Sequence, residues 1–156
     1  MKKYSLVLLL FTIIVSFTSC LKDHTTGTDT SAQAATDDAL IQAAIKAANI
    51  TATKDPSGVY YSIVKQGTGT YPTLSSSITA TYTGKLLDGT TFDSGTITNN
   101  PLNRLIAGWQ IGVPYINSGG QIILFIPSAY GYGNVAQTKI PANSVLVFSI
   151  NLTSFN

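Results

Sequence analysis

Residues 82–94 read Tyr82-Thr83-Gly84-Lys85-Leu86-Leu87-Asp88-Gly89-Thr90-Thr91-Phe92-Asp93-Ser94. The segment leading into them, Ile78–Leu86, is rich in Ile, Thr and Tyr, which suit a half-buried pleated surface, so it predicts a strand. Asp88-Gly89 between Leu87 and Thr90 is a hairpin turn signal, because glycine reaches the positive φ that a tight turn needs. Beyond the turn, Asp93 follows Phe92 and is placed to accept turn hydrogen bonds.

Outward from this hairpin, Val59–Lys65, Gln121–Ile126 and Val145–Phe155 have the same strand-forming composition. Ser118-Gly119-Gly120 precedes one strand, and Pro141-Ala142-Asn143 separates a loop from the last. The interval Leu105–Ile116 accommodates a helix of about two turns at most, since Gly112 and Pro114 curtail it. Nearer the amino terminus, Leu40, Ile41, Ala44, Ile45 and Ala48 recur at helical spacing within Asp37–Ile50. Asp37 and Asp38 stand where carboxylates favour a helix start. This is expected to be a short amphipathic helix packed on the domain. No repeat is visible, and the pattern implies an α+β fold.

Composition removes several function classes. Charged residues make up 10% of the chain and are scattered singly, so there is no basic stripe for nucleic acid. The single cysteine excludes an internal disulfide and argues against a cysteine-based metal cluster. The single histidine, His24, lies in a polar stretch and lacks the partners of a hydrolase triad. Gly131-Tyr132-Gly133 lacks the third glycine and following helix of a dinucleotide site. No metal and no cofactor is expected.

Five blocks in order carry a family resemblance. They are Tyr82-Thr83-Gly84, Asp88-Gly89 with Phe92-Asp93-Ser94, Leu105-Ile106-Ala107-Gly108-Trp109, Ile126-Pro127-Ser128-Ala129-Tyr130-Gly131-Tyr132-Gly133, and Ile140-Pro141 with Val145-Leu146-Val147-Phe148. Any one alone is a weak signal; together they span roughly residues 57–156 and resemble the FKBP-type peptidyl-prolyl isomerases. The resemblance implies an antiparallel five- to six-stranded sheet wrapped around a short helix, with an apolar pocket between them. By matched position Tyr82, Asp93, Ile106 and Tyr132 would act on the substrate amide. Phe92, Leu105, Trp109, Ile140 and Phe148 would line the pocket. Trp109 would form the floor and start the helix after Gly108. Tyr132 and the backbone N–H of Ile106 would donate to substrate carbonyls.

Such a set suits prolyl isomerisation, which breaks no covalent bond. Its barrier of about 18–20 kcal/mol is amide resonance lost on twisting. An apolar aromatic pocket that desolvates the amide, with a few fixed hydrogen bonds, lowers that barrier without base, nucleophile or metal. The expected partners are proline-containing unfolded or exported polypeptides, bound by a monomer. The same pocket would serve a non-catalytic holdase. A purely structural surface lipoprotein, by contrast, would need no concave pocket around Trp109.

Some positions depart from the family pattern. Ser94–Asn100 contains no Arg or Lys to pair with Asp93, which leaves Tyr or backbone donors to hold it, or leaves it less ordered. Asn100 stands where relatives often place a pocket-lining Phe. Pro114 falls where relatives continue the helix, and Val135–Lys139, the loop over the pocket, has no aromatic or histidine.

The amino-terminal residues read differently. Lys2 and Lys3 precede an almost unbroken apolar run from Tyr4 to Phe17, shorter than the ~20 residues of a spanning helix, as in a secretory signal. Phe17-Thr18-Ser19-Cys20 resembles a bacterial lipobox, with Phe17 in place of the commoner Leu. Lipid on Cys20 would anchor the chain, since two or three acyl chains hold stably where one does not. Removing Lys2 and Lys3 leaves seven basic and seven acidic residues. The expected organisation is therefore a signal peptide over 1–19, lipidated Cys20 and flexible linker over 20–36, helix and connector over 37–56, and the isomerase domain over 57–156. The expected location is the bacterial cell envelope, on the outer membrane, with its periplasmic or surface face left open by Leu21-Lys22-Asp23.

Overall fold

The computed structural model describes residues 26–156. The leader, Cys20, His24 and the first residues of the expected linker lie outside the described residues. Six strands form one antiparallel sheet: β1 (Thr53–Lys54), β2 (Tyr60–Lys65), β3 (Ser77–Leu86), β4 (Thr91–Pro101), β5 (Gly120–Ile126) and β6 (Leu146–Phe155). Their order across the sheet is β1-β2-β5-β6-β3-β4. Four strands fall where composition puts them, to within a residue at each end. β1 and β4 were not expected as strands. β1 has two residues, too few for a pattern. β4 lies at a sheet edge, paired only with β3, and most of its residues are exposed polar ones without strand-like patterning. The β3–β4 turn closes where Asp88-Gly89 requires it, with Gly89 at φ +88° and Leu86 N–H donating to Thr90 O at 2.9 Å.

Alternation along β5 and β6 generates two apolar layers. Ile122, Leu124 and Ile126, with Leu146, Phe148, Ile150 and Leu152, join the main core, which includes Trp109 and Val113 of the short helical segment. Phe125 and Val145, with Tyr60 of β2, form a second cluster with Ile41. The sheet is thus covered on both faces, by α2 (Ala107–Gly112) on one and by α1 (Thr26–Ala47) on the other. α2 begins two residues before Trp109 rather than at it, because Ile106 takes the extended N-cap conformation (φ −57°, ψ 148°). Pro114 does not extend the α-helix; it sits in a 3₁₀ turn, Val113–Tyr115, that follows directly.

α1 departs most from expectation. It starts at Thr26, so residues 26–36, read as flexible linker, are helical. Asp37 is therefore mid-helix, not at the start. The buried stripe also differs: Ile41 is fully enclosed, whereas Leu40 is 47% exposed and Ala48 lies outside the helix. Polar residues extend the packed face toward the amino end, through Gln33 and Asp37, a continuation that an apolar pattern does not register. Burial of Ile41 contributes about 1.5–3 kcal/mol to docking. Asp38 adds an ion pair to Lys54 at 2.6 Å and accepts the Tyr60 hydroxyl at 2.9 Å. Lys54 holds the Asp38 carboxyl below the usual range. No helix among the described residues is long and apolar enough to cross a membrane.

Candidate active site

Four aromatic rings from three strands and a helix meet on the α2 side of the sheet. Phe148 of β6 is central, with Phe92 (β4) at 5.5 Å and Trp109 (α2) at 5.4 Å, both edge to face. Tyr82 of β3 stands edge-on to Trp109 at 5.4 Å and is tilted against Phe148 at 6.1 Å. Such geometry sets the positive edge of one ring against the negative face of the next. Phe92, Trp109 and Phe148 are buried, and Leu105 and Ile106 pack against the same cluster.

Two glycines permit the approach. A Cβ on Gly84 would lie 2.6 Å from the Phe92 ring and 2.8 Å from Phe148, so the third residue of Tyr82-Thr83-Gly84 leaves room for two rings. At Gly108 a Cβ would collide with the Ile126 side chain, so glycine there sets how closely α2 approaches β5. Sequence reading used both only as family markers.

Asp93 is exposed and is held without a cation. Its Oδ2 accepts the Tyr82 hydroxyl at 2.7 Å and its Oδ1 accepts the Ser94 N–H at 2.9 Å. Of the two sequence expectations, tyrosine and backbone donors are what the structure supplies. Burial, then the Asp93 carboxylate, pushes the Tyr82 phenol up to about 12, so at neutral pH it is a proton donor. Phe92 of this cluster, with Asp93, Tyr132, Gln137, Lys139 and Ile140, also borders an open depression of about 280 Å³. Tyr132 is 38% exposed and Ile140 is buried. The 135–139 loop is pinned at its base by reciprocal backbone bonds between Gln137 and Ile140.

Seven of the nine expected pocket residues thus fall in the ring cluster or on the rim of this depression, and the other two, Leu105 and Ile106, flank the cluster. Asn100 contributes no ring; it pairs with Ile78 on β3. Gln110 was missed: its side-chain amide donates to Leu105 O at 2.7 Å, bracing the segment that enters α2. Gln137 and Lys139 belong to the loop that the sequence placed over the pocket, but they were not singled out as rim residues, since a polar loop carries no pattern that marks which side chains face a pocket.

Comparison with known proteins agrees with this geometry. Residues 69–153 match the family described as FKBP-type peptidyl-prolyl cis-trans isomerase. The FKBP-type peptidyl-prolyl cis-trans isomerase FkpA of Aeromonas hydrophila is 42% identical over 100 residues, covering 62% of this chain and 37% of its own. FkpA of Buchnera aphidicola is 44% identical over 104 residues, covering 64% and 41%. The chain therefore spans well under half the length of these curated relatives. The crystal structure of FkpA from Escherichia coli superposes with a TM-score of 0.67 at 29% identity, over 83% of this chain and 64% of that one. A peptidyl-prolyl cis-trans isomerase from Pseudomonas syringae gives 0.69 at 25% identity, over 81% and 96%.

Proposed function

Since the chain belongs to the FKBP-type peptidyl-prolyl cis-trans isomerase family, we propose that it catalyses cis-trans isomerisation of X-Pro bonds in unfolded, exported polypeptides. The observation that carries this reading is the cluster of Tyr82, Phe92, Trp109 and Phe148, joined through Phe92 to a depression rimmed by Asp93 and Tyr132. A proline ring seated on Trp109 and Phe148 leaves its preceding amide in apolar surroundings. Water favours the planar, charge-separated amide over the twisted one, so its exclusion lowers the barrier. Tyr132 donates to one substrate carbonyl, and the N–H of Ile106, at the N-cap of α2, donates to another. Asp93, oriented by Tyr82, stands beside the twisting bond. No proton is transferred and no group leaves.

The deciding experiment is a protease-free isomerisation assay on a proline peptide. It compares the chain with a Tyr132→Phe, Asp93→Ala double variant. Catalysis that the variant loses supports the enzyme and its site; a folded chain without catalysis overturns it. In that event the pocket serves to hold proline-containing segments. The feature that favours this second reading is Asp93, which makes no ion pair among the described residues.

The lipobox-like Phe17–Cys20 supports a lipid anchor on Cys20 and residence in the bacterial envelope, with the outer membrane as the surface. Labelling with a radioactive fatty acid, lost in Cys20→Ser, tests the anchor.

A further inference from the structure

We propose that Asp37 of α1 is a positioning residue for Tyr132, so that the amino-terminal helix is part of the isomerase apparatus. The inference rests on the reading of Tyr132 given above. Asp37 and Ser128 are 91 residues apart in sequence, and both are almost fully buried, at 1% and 2% exposure. Asp37 Oδ2 accepts the Ser128 N–H at 2.8 Å and the Ser128 hydroxyl at 2.7 Å, while its Oδ1 accepts the Gln33 amide at 2.7 Å. Ser128 then passes the constraint on. Its carbonyl accepts the N–H groups of Gly131 at 2.9 Å and Gly133 at 2.8 Å, the two neighbours of Tyr132. Tyr132 is 38% exposed, so packing encloses it only in part. Its place depends on the backbone, and that backbone hangs on Ser128.

A buried carboxylate is a poor choice if docking strength alone is needed, since an apolar residue of similar volume commonly serves as well or better. What the carboxylate adds is direction: two charge-assisted hydrogen bonds aimed at one residue set the position of the turn. Beside this contact, Gln33, Lys54, Pro56, Ser128 and Asn143 border a cleft of about 980 Å³.

The test uses the full chain in detergent and measures kcat and KM for a proline peptide. Displacing Tyr132 by a fraction of an ångström should lower kcat about tenfold in Asp37→Ala, with KM changed less than about twofold. Asp37→Asn, whose oxygen still accepts from Ser128 while Gln33 turns its amide, should recover most of that loss. Ile41→Ala weakens helix docking without touching the turn and should keep kcat while lowering stability. Unchanged kcat in Asp37→Ala, no recovery in Asp37→Asn, or an equal kcat loss in Ile41→Ala overturns the positioning role. Should Asp37→Ala not fold, Ser128→Ala removes only the hydroxyl donor and should cost about threefold in kcat; full kcat there is equally fatal. Tyr132→Phe separates the two readings. Full activity in it sinks the assignment of Tyr132 and this inference with it. Loss in Tyr132→Phe beside full activity in Asp37→Ala sinks the positioning role alone.

Discussion

Tyr82 and Asp93 lie on adjacent strands, two residues out of register: Gly84 faces Asp93 and Tyr82 faces Gly95, yet the phenol reaches Asp93 Oδ2 at 2.7 Å. The phenol lies over Gly95, where an added Cβ would stand 3.8 Å from the Tyr82 hydroxyl. One hydrogen bond therefore joins the aromatic floor, through Tyr82 against Trp109, to the carboxylate on the rim.

Removing only that bond should separate orientation from shape. In Tyr82→Phe the ring is retained and Asp93 keeps the Ser94 N–H alone. A neutral donor lost from a partly exposed carboxylate costs about 1 kcal/mol, so kcat/KM in the peptide assay should fall about fivefold with the fold unchanged. A wild-type value would mean that Asp93 needs no orientation by Tyr82.

Alkaline titration should report the same contact. Burial and then Asp93 raise Tyr82 to about 12, and the Asp55 carboxylate, accepting the Tyr115 hydroxyl, raises Tyr115 to about 12. An unfolded tyrosine titrates near 10. The stability these two phenols contribute is thus fully present below pH 10 and is lost as pH rises from there through 12. Urea midpoints measured across pH 9–11.5, with tyrosinate absorbance followed in parallel, should decline over that window. The decline should be shallower in Tyr82→Phe.

Trp109→Ala should remove the floor. A buried ring deleted to Ala costs about 3–5 kcal/mol, and Phe148 and Tyr82 lose their edge-to-face partner. Chemical denaturation should show that loss, and the isomerase rate should drop by far more than in Tyr82→Phe. A near-native rate would place the proline ring elsewhere.

Gly84→Ala probes the approach of the rings. One methyl group overpacks Phe92 and Phe148 and should cost about 1–3 kcal/mol. The near-ultraviolet circular dichroism of the cluster should change with it. Gly89→Ala, at a turn with open space around it, should cost only the strain of its positive φ and leave that spectrum intact.

Much of this molecule was legible because its signals are local or come in ordered blocks. The strands follow from runs of Val, Ile, Thr and Tyr, the hairpin from Asp88-Gly89, and the shortness of α2 from Gly112 and Pro114. β4 escaped because an edge strand facing solvent may carry any polar sequence that its partner tolerates, and β3 alone supplies its pairing. The amino-terminal half of α1 escaped because its packed face there is polar. Half-buried Gln33 and buried Asp37 are held there by hydrogen bonding rather than by transfer from water, which leaves no apolar period to read.

By itself, then, the sequence determined the α+β class, four of the six strands and the family, since periodicity, turn chemistry and motif order are properties of neighbours along the chain. Only the tertiary structure decided how Asp93 is held without a cation, why Gly84 must lack a side chain, and that Asp37 meets Ser128. Those contacts join residues brought together by sheet closure and helix docking, and a distance across 91 residues is set by the packing of everything between them.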